Sequence, residues 1–338
     1  MRSLCLASIA ICIFQLSAPA QNTFIKNDFF VPGEKGISLQ VREILPSSAK
    51  PSKTPLLLLH GGGSGATASF DLDVPNGSLA KDLARQGIPV YLMNVRGWER
   101  STHPAYDEAD TSLVAGSCME AAADIDVVVN HILAKTHVGR IDIFGWATGG
   151  HWAAYYATKH SGKIAHLILL NTIYGIAAPW QLNTAFSDPS DSTRYNAQLP
   201  LFRQSAARAI KSAWDMAIPA TDKSQWRDTM VLNAYINAAI SFNEYHVLKV
   251  PGGYRKESYE MAHGKKYWNA KDIKVPVLLL RSEYDFWSRP KDMTSICEEL
   301  GTSTKKCVTL PAATHFVFLD KPEKGRALLL TEMTAFLK

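Results

Sequence analysis

The chain has 338 residues, of which 46% are hydrophobic and 20% are charged. This length and composition predict one large globular domain with an insertion, and they exclude a disordered chain. The formal net charge of +5 is spread thinly, without a basic stripe that could neutralise phosphates, so we expect no nucleic-acid partner.

The N-terminus has the pattern of a secretory signal. Arg2 supplies a positive charge, Leu4 to Leu16 form a short apolar run, and Ala18-Pro19-Ala20 provides a small-residue cleavage site. We interpret residues 1–20 as a signal peptide and expect a secreted or periplasmic protein. The apolar run is too short to span a bilayer, so we expect no membrane span after cleavage. An uncleaved, anchored form is the alternative.

A glycine-rich loop follows the first buried strand. Ile37 to Leu45 alternates as strands do, and Leu56 to Leu59 is a continuous apolar run typical of a buried parallel strand. This run leads directly into His60-Gly61-Gly62-Gly63, for which three interpretations compete. A phosphate loop is excluded because Gly65-Ala66-Thr67 has no lysine.

A dinucleotide site is the second interpretation. Gly63-Ser64-Gly65 with Ala68 formally matches the dinucleotide fingerprint, but the next predicted strand, Val90 to Val95, has Asn94 where an acid would bind the ribose. Arg96 could instead hold a 2′-phosphate, which keeps an NADP-binding protein as a minor alternative. In the third interpretation, the backbone N–H groups of the loop stabilise an oxygen that becomes negative during acyl transfer.

A second set of glycines lies between a strand and a helix. Ile141 to Trp152 reads as a β-branched and aromatic run, a sharp turn and a helix start. Within it, Gly145-Trp146-Ala147-Thr148-Gly149-Gly150 has the spacing of the nucleophile elbow Gly-x-Ser-x-Gly, with Ala147 at the serine position. Such a turn needs glycines because strand and helix approach closely. An ordinary glycine-rich βα connection is the alternative.

The strand–helix alternation stops after the next strand, Ile164 to Asn171. Residues 176–270 show helical spacing and a high aromatic content, and we interpret them as an inserted helical segment. Most of its rings are expected to form the core of that segment. Trp180, which begins the insertion, and Trp146, beside the elbow, are the aromatic residues that we expect to face a substrate pocket.

The alternation returns near the C-terminus. Val275 to Leu280 predicts a buried strand, and the loop after it contains Asp285. The final strand lies within Lys306 to Leu310 and is followed by a loop with His315, and a closing helix is expected from Pro322 to Leu337. Taken with the elbow, this gives the chain order nucleophile, acid, histidine.

From about Ile37 to Lys338 the sequence resembles α/β-hydrolases of the esterase/lipase type. The resemblance rests on four features in order: His60 to Gly63, Gly145 to Gly150, Asp285 and His315. It implies an α/β-hydrolase fold, with a mostly parallel central sheet flanked by helices and an inserted helical cap. The core would comprise residues 21–175 and 271–338, and the cap residues 176–270. The resemblance implies neither a cofactor nor a metal.

The resemblance also implies roles for individual residues. Asp285 would hold the tautomer of His315, which would act as general base and then as general acid. Glu283 is the rival acid, and Asp285 is preferred because it sits at the usual position of the loop.

The N–H groups of Gly62 and Thr148 would stabilise the oxyanion, with Gly63 as the alternative first donor. Ala147 departs from the family because its methyl group cannot attack a carbonyl. Thr148 points a different way in an elbow, and Cys118 has no histidine pattern beside it, so neither replaces the serine.

Two hypotheses of function follow. In the first, the protein is a secreted serine-type hydrolase of a bulky apolar or aromatic carboxylic ester or lactone, whose serine is replaced by alanine in this inactive or substrate-trapping form. In the second, it is a naturally non-catalytic protein of the same fold that binds a small apolar ligand.

Three cysteines remain after removal of the signal peptide. An exported protein with Cys118, Cys297 and Cys307 can form one disulfide. Cys297 is expected near the end of a helix and Cys307 at the start of the last strand, so a short loop can bring them together. We predict a Cys297–Cys307 disulfide and a free Cys118.

Overall fold

The computed structural model describes residues 24–46, 54–107, 110 and 113–338, and the predicted signal peptide lies outside them. The first part of the fold alternates strands and helices. Its elements are β1 (Phe24–Pro32), β2 (Ser38–Pro46), β3 (Leu56–Leu59), α1 (Ala66–Phe70), α2 (Leu79–Arg85), β4 (Val90–Met93), α3 (Cys118–Thr136), β5 (Ile141–Trp146), α4 (Thr148–His160) and β6 (Ile164–Leu170).

The segment after β6 departs from this alternation. It contains α5 (Asn183–Phe186), β7 (Ser187–Asp188), β8 (Asp191–Tyr195), β9 (Phe202–Ser205), α6 (Ala207–Ala217), α7 (Thr229–Ile240), β10 (Leu248–Pro251) and α8 (Gly253–Ala262). Besides the expected helices, two antiparallel strand pairs are present, β7 with β8 and β9 with β10. The sequence did not predict them because they are short and mostly polar.

The chain then returns to the central sheet. It adds β11 (Val277–Tyr284), α9 (Pro290–Glu299), β12 (Lys305–Thr314) and α10 (Ala327–Phe336). The eight-stranded sheet has the order β1-β2-β4-β3-β5-β6-β11-β12. Strands from β4 to β12 are parallel, while β2 runs antiparallel to both β1 and β4. This arrangement confirms the predicted fold class.

The central strands of the sheet are buried, and the loops that follow them meet at one edge. All residues of β3 and β5 are buried, as expected for parallel strands covered by helices on both faces. Helix α3 begins with a capping box between Ser117 and Glu120, which satisfies N–H groups at its first turn. Because parallel strands end at the same edge, the loops after β3, β5, β11 and β12 meet there.

Two further features were expected from the sequence. Cys297 of α9 and Cys307 of β12 form a disulfide, and Cys118 is free and buried, so the cysteine prediction is confirmed. None of the helices in the described ranges has both the length and the apolar character needed to cross a membrane.

Candidate active site

Ala147 has the backbone conformation of a strained turn. It lies between β5 and α4 with φ 52° and ψ −113°, a region that residues other than glycine rarely adopt. Its N–H donates to the carbonyl of Leu170 at 2.8 Å, and its own carbonyl accepts from the N–H of Gly150 at 3.0 Å. The turn is therefore held from both sides, with Ala147 in the wall of a cavity.

The neighbouring glycines leave no room for side chains. A Cβ atom on Gly145 would lie 2.4 Å from the carbonyl oxygen of Gly149, and a Cβ atom on Gly149 would lie 2.3 Å from that of His60. Helix α4 therefore packs directly against the ends of the strands. Together with the strained Ala147, this packing distinguishes the turn from an ordinary βα connection.

His315 and Asp285 contact each other in a buried pair. The Nδ1 atom of His315 lies 2.6 Å from Oδ1 of Asp285. The carboxylate also accepts from the N–H groups of Trp287, at 3.1 Å, and Ser288, at 2.7 Å. Since the carboxylate of Asp285 accepts a hydrogen bond from Nδ1 of His315, the opposite ring nitrogen, Nε2, can take up a proton. Glu283 is exposed and instead accepts from the N–H of Ala312 at 2.7 Å, so the pair uses Asp285.

Asp320, which the sequence analysis did not single out, holds the chain just before His315. It accepts from the N–H of Thr314 at 2.8 Å and from the Nε1–H of Trp214 at 3.0 Å. Burial raises the pKa of Asp320 to about 7, against the lowering effect of these donors. An acid directly after the apolar run 316–319 was the available sequence signal, because buried acids need partners.

The glycine loop is anchored through His60. Its Nδ1 donates to the carbonyl of Gly61 at 2.7 Å, and its Nε2 accepts from the N–H of Val95 at 3.2 Å. His60 does not line the cavity, whereas Gly62 and Gly63 do, together with Thr148. The N–H of Thr148 is in the first turn of α4 and so lacks an intrahelical acceptor. The structure thus brings the predicted oxyanion donors to the same cavity as Ala147.

The burial of His60 leads us to expect that the free energy of unfolding depends on pH. Burial lowers its pKa to about 4, against the raising effect of its bond to Gly61. Between about pH 6.5 and 4 the unfolded chain binds a proton that the folded chain does not, so unfolding free energy falls as pH falls, by about 3 kcal/mol in total. Asp320 acts in the opposite sense, because its raised pKa stabilises the fold at low pH and this contribution disappears as pH rises through about 7.

The test therefore compares two proteins. The free energy of unfolding, measured with urea from about pH 4 to 7, should increase with pH more in the original chain than in His60→Gln. The contribution of Asp320 is common to both proteins and cancels in this comparison. Parallel pH profiles for the two proteins would contradict the assignment of His60 as a buried neutral imidazole.

The cavity beside Ala147 encloses about 320 Å³ and is mainly apolar. Rings form much of its wall, namely Trp146, Phe186, Tyr235, Tyr254, Phe286, Trp287, His315 and Phe316. Trp146 is one of these rings, and its Nε1–H donates to the carbonyl of His315 at 3.0 Å. A cavity of this size and character is suited to a small ligand.

Trp180 does not lie in the cavity wall, which corrects the sequence prediction. Its ring packs against Phe186 and Trp287, which do line the cavity, and its Nε1–H donates to the carbonyl of Trp287 at 2.8 Å. Its position at the start of the insertion places it next to residues that line the cavity. It therefore supports the wall without forming it.

We expect Trp180→Ala to affect stability more than ligand choice. Loss of this buried ring should lower the unfolding free energy by about 3 to 5 kcal/mol. The matched variant is Phe186→Ala, which removes a half-buried ring from the wall itself and should change ligand affinity more than stability. Urea unfolding and calorimetric titration with phenyl esters would check both. If Trp180→Ala instead changed the ester preference strongly without losing stability, Trp180 would contact the ligand, as the sequence analysis predicted.

The NADP alternative fails because its anion-binding groups are already occupied. The N–H groups of Thr67 and Ala68, at the start of α1, donate to the carboxylate of Glu99 at 3.0 and 3.1 Å. Arg96, the candidate for a 2′-phosphate, pairs with the buried Asp124 at 2.6 Å. A pyrophosphate would meet a carboxylate at this helix start, so these residues do not fit a dinucleotide.

Cys118 has a histidine nearby in space, which its sequence neighbours did not reveal. His151 Nε2 and the Cys118 N–H both contact the carboxylate of Glu257, at 3.2 and 2.9 Å. Burial raises the pKa of the Cys118 thiol well above its usual value, so it does not replace the missing nucleophile. Trp268 Nε1–H donates to Nδ1 of His151 at 3.0 Å, which leaves the proton on Nε2 and no imidazole lone pair for a metal.

Comparison with known proteins agrees with this geometry. The sequence matches the family described as "alpha/beta hydrolase fold" over residues 54–322. It is similar to human lipase member M, with 31% identity over 127 residues that cover 36% of this chain and 30% of that protein. It is also similar to human 1-acylglycerol-3-phosphate O-acyltransferase ABHD5, with 24% identity over 294 residues, covering 81% and 75%.

Among solved structures, an alpha/beta hydrolase from Novosphingobium aromaticivorans aligns with a TM-score of 0.60 at 19% identity, over 91% of this chain and 98% of that chain. This likeness shows the fold alone. The matched region covers 30% of the length of lipase member M and 38% of the length of the rat 1-acylglycerol-3-phosphate O-acyltransferase ABHD5.

Proposed function

Since the chain belongs to the α/β-hydrolase fold family, we propose that its cavity is the active site of a carboxylic ester or lactone hydrolase whose nucleophile position holds Ala147. The observation that carries the proposal is the strained φ of 52° at Ala147, in the same cavity as the His315–Asp285 pair. Backbone strain of this kind is typical of functional sites, and a serine at this position would present its hydroxyl to the substrate.

The wall of the cavity bounds the substrate. Its many rings favour a bulky apolar or aromatic ester or lactone, since such a ligand replaces water against aromatic faces. The N–H groups of the glycine loop and of Thr148 favour acyl chemistry, because they would stabilise a developing oxyanion. Without a nucleophile, this form of the protein binds the ester and does not cleave it.

We also propose that the protein is exported. The small-residue cleavage site before Gln21 supports this location. The Cys297–Cys307 disulfide supports it independently, because disulfides persist in oxidising compartments.

Binding without turnover is directly measurable. The cavity includes Trp146 and Trp287, so titration with a phenyl ester should give a saturable change in tryptophan fluorescence while the ester is recovered intact. Ala213→Phe, which fills the cavity from α6, should abolish the saturable signal. The matched control Ala209→Phe places the same ring on an exposed position of α6 and should leave binding unchanged. Equal binding by all three proteins would refute a ligand site in this cavity.

A further inference from the structure

The cavity wall contains a cation that has no carboxylate partner. Arg203 of β9 lines the cavity, and its Nε and Nη1 donate to Ser205 Oγ at 3.0 Å and to the Tyr254 hydroxyl at 2.8 Å. A guanidinium carries more N–H donors than these two bonds use. Arg203 therefore has donors left for a ligand.

The surroundings of Arg203 do not neutralise it. Among the described residues, no aspartate or glutamate lines the cavity, and Arg203 bonds instead to the hydroxyls of Ser205 and Tyr254. A second cation, Arg255, lies in the same wall, and its guanidinium donates to the backbone carbonyls of Gly252 and Pro200. A partly buried cation without a counter-charge in the cavity wall would stabilise an anion that enters the cavity.

Resting on the proposed function, we propose that the ester substrate carries a carboxylate and that Arg203 binds it. Guanidinium and carboxylate match in a planar, bidentate geometry, which gives both affinity and orientation. The apolar rings would then hold the body of the substrate, while the charged end fixes which way round the ester lies.

Tyr254 links Arg203 to the glycine loop. Its hydroxyl accepts from Arg203, and its ring lies against Gly62, where an added Cβ would come within 2.5 Å of ring atoms. Tyr254 thus contacts both the guanidinium and the glycine loop. A small aryl ester that carries a carboxylate is therefore the probe that we choose for this site.

Two probes of nearly equal shape test this inference on the unmodified chain. 4-Acetoxybenzoate carries the carboxylate, and 4-acetoxybenzamide replaces it by a neutral amide. Calorimetric titration at neutral pH should show the benzoate binding about tenfold more tightly or better, with a preference that declines as salt is added. Equal affinity for the two probes would overturn the inference.

Variants assign the preference to one side chain. Arg203→Gln should bind the two probes equally, and Arg203→Lys should retain part of the preference because it keeps the charge but not the planar geometry. Arg208→Gln removes the same charge from an exposed position of α6 and should keep the full preference. Circular dichroism would establish that each variant folds, and the probe comparison on the unmodified chain stands even if one does not.

The outcomes separate this inference from the proposed function. If the amide binds as well as the benzoate, or if Arg203→Gln keeps the preference, the anion site is wrong while the ester site stands. If neither probe binds saturably and neutral phenyl esters also fail to bind, the ester site itself is wrong, and the anion site is overturned with it.

Discussion

Replacing Ala147 by serine is expected to raise kcat on an activated phenyl ester by on the order of 10³-fold or more. The strained turn, the His315–Asp285 pair and the loop N–H groups are in place in the alanine form, so the hydroxyl is the part that is missing. Release of phenol from a panel of aryl esters, alkyl esters and lactones would measure the gain.

Two comparisons control this experiment. The first is the original chain, in which Thr148 already carries a hydroxyl next to Ala147. Its turnover of the same esters shows whether any hydroxyl near the elbow is enough for catalysis. The double variant Ala147→Ser with His315→Ala should lose the gain, because the serine then has no base. A folded serine variant that turns over none of the panel would favour the second hypothesis, a naturally non-catalytic binding protein.

Gly149→Ala is expected to destabilise the elbow strongly. The new Cβ would lie 2.3 Å from the carbonyl oxygen of His60 and 2.6 Å from that of Leu59, both of which are backbone atoms that cannot rotate away. Helix α4 would have to move off the end of β3. We expect a loss of unfolding free energy of about 4 kcal/mol or more, measured by urea unfolding.

A matched glycine provides the control. Gly162, just after α4, has no heavy atom within 4 Å of its added Cβ, so Gly162→Ala should change stability by about 1 kcal/mol or less. If Gly149→Ala unfolded at the same urea concentration as Gly162→Ala, close packing would not be the reason for the glycines of the elbow.

The elements that the sequence predicted well have strong periodic or steric signals. Strand β3 was predicted with its observed bounds because four consecutive leucines suit a strand that is buried on both faces. The elbow was predicted because its glycines have no alternative at such close approach. Asp285 and His315, which lie 30 residues apart in the sequence, were paired through the resemblance to α/β-hydrolases and their chain order of nucleophile, acid and histidine.

Other features depend on tertiary contacts that leave little trace in the sequence. Strand β1 was missed because most of its residues are exposed and show weak alternation. Trp180 was assigned to the pocket from its position in the chain. Neighbouring side chains such as Phe186 decide whether a ring reaches the cavity, and the sequence does not reveal them. The sequence analysis did not single out Arg203, because the lack of acidic side chains in the cavity wall is a property of the folded protein.

The contact between Glu257 and α3 limits how the insertion can move. Glu257 belongs to α8 of the insertion, and its carboxylate accepts from the N–H of Cys118 at the first turn of α3 in the core. Swinging the whole insertion away would break these charge-assisted bonds together with the contact of Glu257 to His151. We therefore expect ligands to enter by local displacement of side chains at the cavity mouth, while the insertion stays docked throughout the binding cycle.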